Sequence, residues 1–333
     1  MRQLATLWLT AIAIGSWAQG PNDSGTYYQA ADGKKGAALK TALCGIIYNR
    51  TERTYKQLWT DFKTTDVRSD GKIWDMYSAV TNYEPGGAAQ GANYKKEGDS
   101  YNREHSWPNS WFGGEVQPMY TDLHHLYPTD GWVNNKRANY PFGETNGESY
   151  RSANNFSKLG KCTYDGYTGT VFEPGDEYKG DFARTYFYIV TCYEEKLPDW
   201  FDRYGSKEGV KPTIDGSTYP GLTAWQLSLL MKWAAGDPVS QKETSRNNAV
   251  AAIQHNRNRF IDYPGLEQYI WGSKQNEPFS YDHYSTTAIS RPSADVTAAP
   301  AAIYAPDGRR LSQMQHGLNI VRQQSGRTVK IVK

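Results

Sequence analysis

Two stretches decide the fold and the chemistry. The first is Asn102-Arg103-Glu104-His105-Ser106-Trp107-Pro108-Asn109-Ser110-Trp111-Phe112-Gly113-Gly114. The second is Asp122-Leu123-His124-His125-Leu126-Tyr127-Pro128-Thr129-Asp130-Gly131-Trp132-Val133-Asn134-Asn135-Lys136-Arg137-Ala138-Asn139-Tyr140-Pro141-Phe142-Gly143. In the second, Thr129 or Asp130 can cap a helix N-terminus. Pro141 cannot continue that helix, so it is short, about two to three turns. On it Asn134, Arg137 and Ala138 share a face at i, i+3 and i+4. Gly131 and the asparagines are poor helix formers, so the segment is stocked for something other than its own stability.

Glu104 and His105 are neighbours, and neighbours on a regular strand point to opposite faces. Both reach one site if the strand ends or bends there, and Pro108 with Asn109-Ser110 supplies an ending. A carboxylate, an imidazole and a side-chain amide then converge. Oxygen ligands that leave several positions to water suit Mg²⁺, whereas Zn²⁺ would want more His or Cys. A neutral His beside such an ion can deprotonate water. That is hydrolytic chemistry, and hard oxygen ligands favour phosphoryl substrates. Each residue also has a duller reading. Glu104-His105 alone would pass for a surface dipeptide. Of His124 and His125 only one can face a site from a strand, and His124 is expected to be the buried hydrogen-bonder. Asp122 is as good a turn cap as a ligand, and Asn135 and Asn139 compete with Asn134.

Outward from this core, residues 27–284 carry no internal repeat. Helical spacing recurs in Ala38, Leu39, Ala42, Leu43, Ile46 and Ile47, again in Phe182, Tyr186, Ile189, Val190 and Tyr193, and again in Leu222, Trp225, Leu229 and Trp233. A weaker stripe joins Val250, Ile253, Arg257 and Phe260. Strand alternation is scarce. The class is α+β, a mostly helical single domain over 19–284 with a small antiparallel element. Aromatics make up 14% of the 333 residues, including 11 Trp and 25 Tyr; most are expected in the core, with carbohydrate stacking secondary.

Both ends look detachable. Arg2, the apolar run Leu4 to Ile14 and Ser16-Trp17-Ala18 read as a secretory signal peptide, residues 1–18. The run is too short to span a bilayer, which takes roughly 20 apolar residues, so no integral membrane segment is expected after its removal. Export implies an oxidising compartment; of Cys44, Cys162 and Cys192, a Cys162–Cys192 bridge is one pairing. Residues 285–302, rich in Ala, Ser, Thr and Pro, have linker chemistry. In 303–333, Asp307-Gly308 and Ser325-Gly326 separate short alternating runs, which reads as a few small strands. Seven basic and two acidic residues give 291–333 a charge of +5, and Arg2 gives the first 18 residues +1. The body is therefore −4 within a whole-chain +2, and bulk charge does not by itself call for a polyanion.

The run R-E-H-S-W-P, followed by D-L-H-H-L-Y-P-x-D-x-x-V-N-N-x-R-x-N-Y-P-F-G, resembles the bacterial endonuclease I family of secreted or periplasmic nucleases, which belong to the His-Me finger (ββα-metal) group. The likeness extends over about residues 27–275, through Thr65 to Ser78, Phe172-Glu173-Pro174, Lys179 to Arg184, Asp237 to Ser240, Asn256-Arg257-Asn258 and Phe260-Ile261-Asp262. The resemblance implies an embedded ββα-metal motif. It makes Glu104 and Asn134 ligands of one Mg²⁺, with Ca²⁺ or Mn²⁺ in substitution. It makes His105 the general base. It implies cleavage of DNA, and of RNA in many members, to 5′-phosphate and 3′-hydroxyl ends, by a protein expected to be a monomer. Relatives place an Arg between the two motifs, near the scissile phosphate; Ser106 to Asn135 contains neither Arg nor Lys. That role is expected to pass to Lys136, Arg137 or Arg184, or to be missing. Arg259 also stands where many relatives have Pro.

Together Arg103, Lys136, Arg137, Arg184, Arg246 and Arg257 are expected to face one groove, so that affinity falls steeply with salt. The tail around Gly317-Leu318-Asn319-Ile320 resembles the C-terminal sorting domain of proteins exported by the Bacteroidetes type IX system. That implies the type IX secretion machinery as a partner and passage to the cell surface or medium. A glycan-binding surface module, motivated by the Trp and Tyr content, is the alternative. A zinc hydrolase using His124 and His125 is a weaker third, since no H-E-x-x-H spacing occurs.

Overall fold

Most of the apolar stripes become helices, and one helix is buried all round. A computed structural model describes residues 21–281 and, beyond them, 302–304, 310–311, 313, 318–322 and 328–332. The signal segment 1–18 lies outside the described residues, as does the linker apart from Ala302. The chain divides into two compact units at Ser285–Thr286.

In the first unit, α1 (Gly36–Ile47) and α2 (Leu58–Thr65) precede an antiparallel pair, β1 (Tyr101–His105) and β2 (Leu126–Asp130), and then α3 (Gly131–Arg137). A small antiparallel sheet follows, β3 (Tyr150–Arg151), β4 (Lys158–Lys161) and β5 (Thr170–Glu173), with Leu159 opposite Phe172. The rest is helical: α4 (Lys179–Cys192), α5 (Leu197–Tyr204), α6 (Val210–Thr213), α7 (Ala224–Gly236), α8 (Gln241–Gln254), α9 (Arg259–Asp262) and α10 (Leu266–Ile270). This is the expected α+β class.

α4 packs against α7 and α1 and buries every residue but its first. The predicted stripe was one face of it; the other faces are covered too, so Asp181 and Arg184 are interior and must be paired. α1 buries Leu39, Leu43 and Ile47. α8 starts with a capping box, the Ser240 hydroxyl accepting from the Glu243 N–H while the Glu243 carboxylate accepts from the Ser240 N–H. The weak fourth stripe is two helices rather than one, because His255 at φ +65° ends α8 before Phe260 begins its turn in α9. The aromatic residues fill the core: Trp107, Trp111, Trp200 and Trp233 are all buried and meet one another or Tyr186, Phe112 and Phe142 edge-to-face or at a tilt.

All three cysteines are free. The suggested Cys162–Cys192 bridge is absent. Cys192 is buried beside α1 instead, where the Cys44 thiol donates to its carbonyl at 3.4 Å and the Arg50 guanidinium donates to its sulfur at 3.2 Å. In the second unit, strands β6 (Ala302–Tyr304), β7 (Arg310–Leu311), β8 (Leu318–Arg322) and β9 (Thr328–Val332) form one antiparallel sheet in the order β7-β6-β8-β9. The two turn signals fall between β6 and β7 and between β8 and β9. No helix among the described residues is long and apolar enough to cross a membrane.

Candidate active site

β1 stops at His105, and β2 returns beside it with Tyr127 opposite Glu104 and Leu126 opposite His105. β2 runs directly into α3. Asp130 is the cap: its carboxylate accepts the Val133 N–H at 2.8 Å, and it also takes the Tyr83 hydroxyl at 2.6 Å and the Gly98 N–H at 2.8 Å. One residue thus ties strand, helix and the preceding loop, where a cap alone is worth about 1 kcal/mol. α3 ends at Arg137, before Pro141, because Ala138 turns to φ +51°. Gly131 has a steric reason: a Cβ there would lie 2.6 Å from the Tyr94 ring.

Strand alternation sends Asn102 and Glu104 toward α3. The Asn134 amide donates to the Asn102 Oδ1 at 2.7 Å. His105, at the strand's last position, reaches the same cavity. That cavity, about 310 Å³, is lined by Glu104, His105, Asn102, Asn109 and Tyr94, and by Asn134 together with its competitors Asn135 and Asn139. The structure therefore brings together the carboxylate, imidazole and amide that the sequence singled out.

The flanking groups set their chemistry. Glu104 is buried, and its Oε1 accepts from the Tyr77 hydroxyl at 2.9 Å and from Arg137 Nη1 at 2.5 Å. Burial pushes its carboxyl up, while Arg137 and Tyr77 oppose that. The His105 Nε2–H donates to the Tyr120 carbonyl at 2.9 Å, which leaves Nδ1 for the cavity. Burial and the nearby His125 hold the imidazole down to about 3, so it is neutral. Both remaining histidines of the motif are structural: His124 Nε2 donates to the Asn256 carbonyl at 3.2 Å and His125 Nε2 to the Met119 carbonyl at 2.7 Å. The expectation that only His124 would be buried is corrected. Asp122 is an interior hub rather than a ligand; burial opposes its charge, but Arg50 and the Gln254 amide hold its carboxyl below the usual range.

Neither expected phosphate arginine faces the cavity. Arg137 is fully buried and cross-links α3 to the end of β1, donating to Glu104, to the His105 carbonyl at 3.0 Å and to the Ser106 carbonyl at 2.7 Å. Arg184 is held by Glu243 at 2.5 and 2.8 Å and by the Asp237 carbonyl at 2.8 Å. Lys136 lies over the Trp132 ring at 4.3 Å. The motif spacing also missed Tyr77, Asn109 and Tyr94. Asn102 was legible, two residues before Glu104 on the same strand face.

Among the described residues, no three His, Cys, Asp or Glu side chains gather as a metal cluster. A cation here would be held by carboxylate and amide oxygens with water filling the rest, and that donor set fits a hard divalent ion. A strand–strand–helix unit that turns a carboxylate, a neutral imidazole and amides into one cavity is the site of a metal-dependent hydrolase. The sequence model of Endonuclease I matches residues 35–265. The chain is 38% identical to an extracellular ribonuclease of Bacillus amyloliquefaciens over 75% of this chain and 79% of that protein. It is 36% identical to the extracellular ribonuclease of Bacillus subtilis over the same shares. It is 29% identical to a periplasmic deoxyribonuclease of Aeromonas hydrophila over 44% of this chain and 50% of that one. The chain belongs to the endonuclease I family of metal-dependent phosphodiester hydrolases.

Proposed function

We propose that the protein is an exported, Mg²⁺-dependent endonuclease that cleaves RNA as well as DNA. The carrying observation is the shared cavity of Glu104, His105 and Asn134. Glu104 and Asn134 would hold the ion through oxygen, in a ββα-metal arrangement of β1, β2 and α3. The bound ion supplies charge compensation for the phosphate and the leaving 3′-oxygen. His105 Nδ1 takes a proton from water, the water oxygen bonds to phosphorus and the P–O3′ bond breaks, and the leaving 3′-oxygen picks up a proton from solvent, so the products carry 5′-phosphate and 3′-hydroxyl ends. This route does not use the 2′-hydroxyl, which makes it indifferent to the sugar. Relatives named ribonucleases and deoxyribonucleases fit that indifference. Their extracellular or periplasmic names support export; in this reading the 303–333 unit is the sorting signal and the mature protein is a monomer.

Incubation of the protein with plasmid and with RNA, in Mg²⁺ or EDTA, tests this. Both substrates should be cut in Mg²⁺ and neither in EDTA. His105→Ala should abolish nicking with the fold intact; full activity in that variant would falsify the assignment. Removing 303–333 should trap the protein inside the cell envelope, and undiminished release would remove the sorting role. The glycan-binding alternative loses its motivation, since so many of the tryptophans are spent in the core.

A further inference from the structure

The two strand faces of β1 are furnished differently. On the face opposite Glu104, one guanidinium and three nearly parallel rings form a cluster. The Arg103 guanidinium lies 3.5 Å from the centre of the Tyr55 ring. Tyr55 stacks on Tyr120 at 4.5 Å with 23° between planes. Tyr120 stacks on the His105 imidazole at 5.2 Å and 14°, and Tyr55 also lies nearly parallel to the imidazole, at 6.1 Å and 17°. Arg103 also donates to the Tyr55 carbonyl at 2.7 Å, which fastens the outer end. Tyr120 touches His105 twice, because its carbonyl is also the acceptor of the Nε2–H at 2.9 Å. The turn carrying that carbonyl, Met119–Thr121, is itself pinned by His125 through the Met119 carbonyl.

From this double contact we infer that Tyr120 is a positioning residue for His105, acting through its ring as well as its carbonyl. A single hydrogen bond from Nε2 fixes the tautomer and one point of the imidazole. It leaves the ring free to swing about that bond and carry Nδ1 off its line. A parallel ring against one face removes the swing. Aromatic pairs of this kind attract one another beyond their area burial. Tyr55 and Arg103 keep the Tyr120 ring from tilting away, while Phe112 and His125 approach the imidazole at tilts of 59° and 51°. The Tyr120 hydroxyl plays no part in this; it donates to Glu115 at 3.3 Å.

The inference rests on the reading of His105 as the base, so the test has one arm that needs no activity. Tyr120→Leu removes the ring and keeps the carbonyl; Tyr120→Phe keeps both. In ¹⁵N spectra of the histidine rings, wild type and Tyr120→Phe should show one His105 tautomer, protonated at Nε2. Tyr120→Leu should show broadened or averaged nitrogen signals. In the kinetic arm, Tyr120→Leu should lower kcat by on the order of 10- to 100-fold, the scale of a misplaced catalytic group, with KM and the Mg²⁺ requirement unchanged. Tyr120→Phe should stay within about twofold of wild type. Equal losses in both variants would reduce Tyr120 to a structural role. An unchanged kcat, or an unchanged single tautomer in Tyr120→Leu, would overturn the inference. If Tyr120→Leu does not fold, Tyr55→Leu, which removes the half-exposed ring packed on both Tyr120 and the imidazole, decides: a fall in kcat at constant KM supports positioning by the ring cluster, and none sinks it. A wild-type protein that cuts nothing would defeat the nuclease reading, while the spectra would still judge the positioning.

Discussion

Two buried arginine–carboxylate pairs, Arg137 with Glu104 and Arg184 with Glu243, are nearly identical in distance and burial, and they do different things. Glu243 spends both oxygens on protein. Oε1 meets Arg184, and Oε2 meets Arg184 again and the Ser240 N–H of its own capping box. Glu104 receives Arg137 and the Tyr77 hydroxyl on Oε1 alone, which leaves Oε2 for the cavity. The first pair locks α4 to α8. The second aims a carboxylate and keeps one oxygen in reserve. Burial and pairing therefore do not mark a functional group here; an oxygen left over after the pairing does.

The sharpest way to break that contrast is to neutralise each carboxylate. Glu104→Gln keeps most hydrogen bonds but loses the anion that would hold a divalent ion, and cleavage should fall at least about 100-fold. Glu243→Gln should leave the rate per folded molecule unchanged. Plasmid nicking by the two variants, normalised to folded fraction by circular dichroism, checks both. Comparable losses would erase the distinction. The arginines extend it. Breaking a buried pair from one side leaves an uncompensated charge at a cost of about 3–5 kcal/mol, so Arg137→Met and Arg184→Met should both lower stability by that order in urea titrations. Only Arg137→Met should also slow the molecules that remain folded, because only there does a site carboxylate lose its aim.

A smaller effect comes from a third interior pair. Asp122 accepts from Arg50, from the Tyr193 hydroxyl at 2.7 Å and from the Tyr188 hydroxyl at 2.9 Å. Its folded pKa is depressed. A carboxyl of this kind stabilises the fold at pH values above its unfolded pKa of about 3.9. That contribution is lost as the pH falls through the folded value. Melting temperature followed from pH 7 downward should hold until about pH 4 and then drop. Asp122→Asn should melt lower at neutral pH and show less of the acid fall; an identical acid profile would place the sensitivity elsewhere.

How much of this was legible follows the distances along the chain. Glu104, His105, Asn134 and the Asp130 cap lie in two short runs whose local rules are strong, and they came out where spacing put them. The role of Arg137 was not legible, since its face on α3 is readable but its partner is 33 residues away on another element. Tyr77 was invisible for the same reason, as a loop residue whose hydroxyl meets Glu104 only after folding. The break at His255 was hidden because a left-handed residue interrupts a stripe without changing its hydrophobic pattern.

The least expected outcome concerns salt. Six basic residues were expected to share one phosphate-binding groove, and most are committed inside the protein: Arg137 to Glu104, Arg184 to Glu243, Arg246 to Asp66 at 2.7 Å, and Arg257 to Asp262 at 2.7 Å. Arg103 is bound to Tyr55. Lys136 is the one of the six for which no ion pair or hydrogen bond is seen among the described residues, and no Lys or Arg lines the cavity. In the proposed mechanism, phosphate recognition at the site would be left to neutral amides and a bound cation, neither of which releases many counterions. A protein with six to ten phosphate contacts loses about 10³–10⁵ in affinity between 50 and 200 mM salt. Here KM over the same range should rise less than about tenfold, and Lys136→Ala should flatten the slope by about one contact. A steep response that survives Lys136→Ala would mean that the substrate is gripped by a basic face away from the cavity, and the contrast between a paired interior and an uncharged site would no longer describe how this nuclease binds.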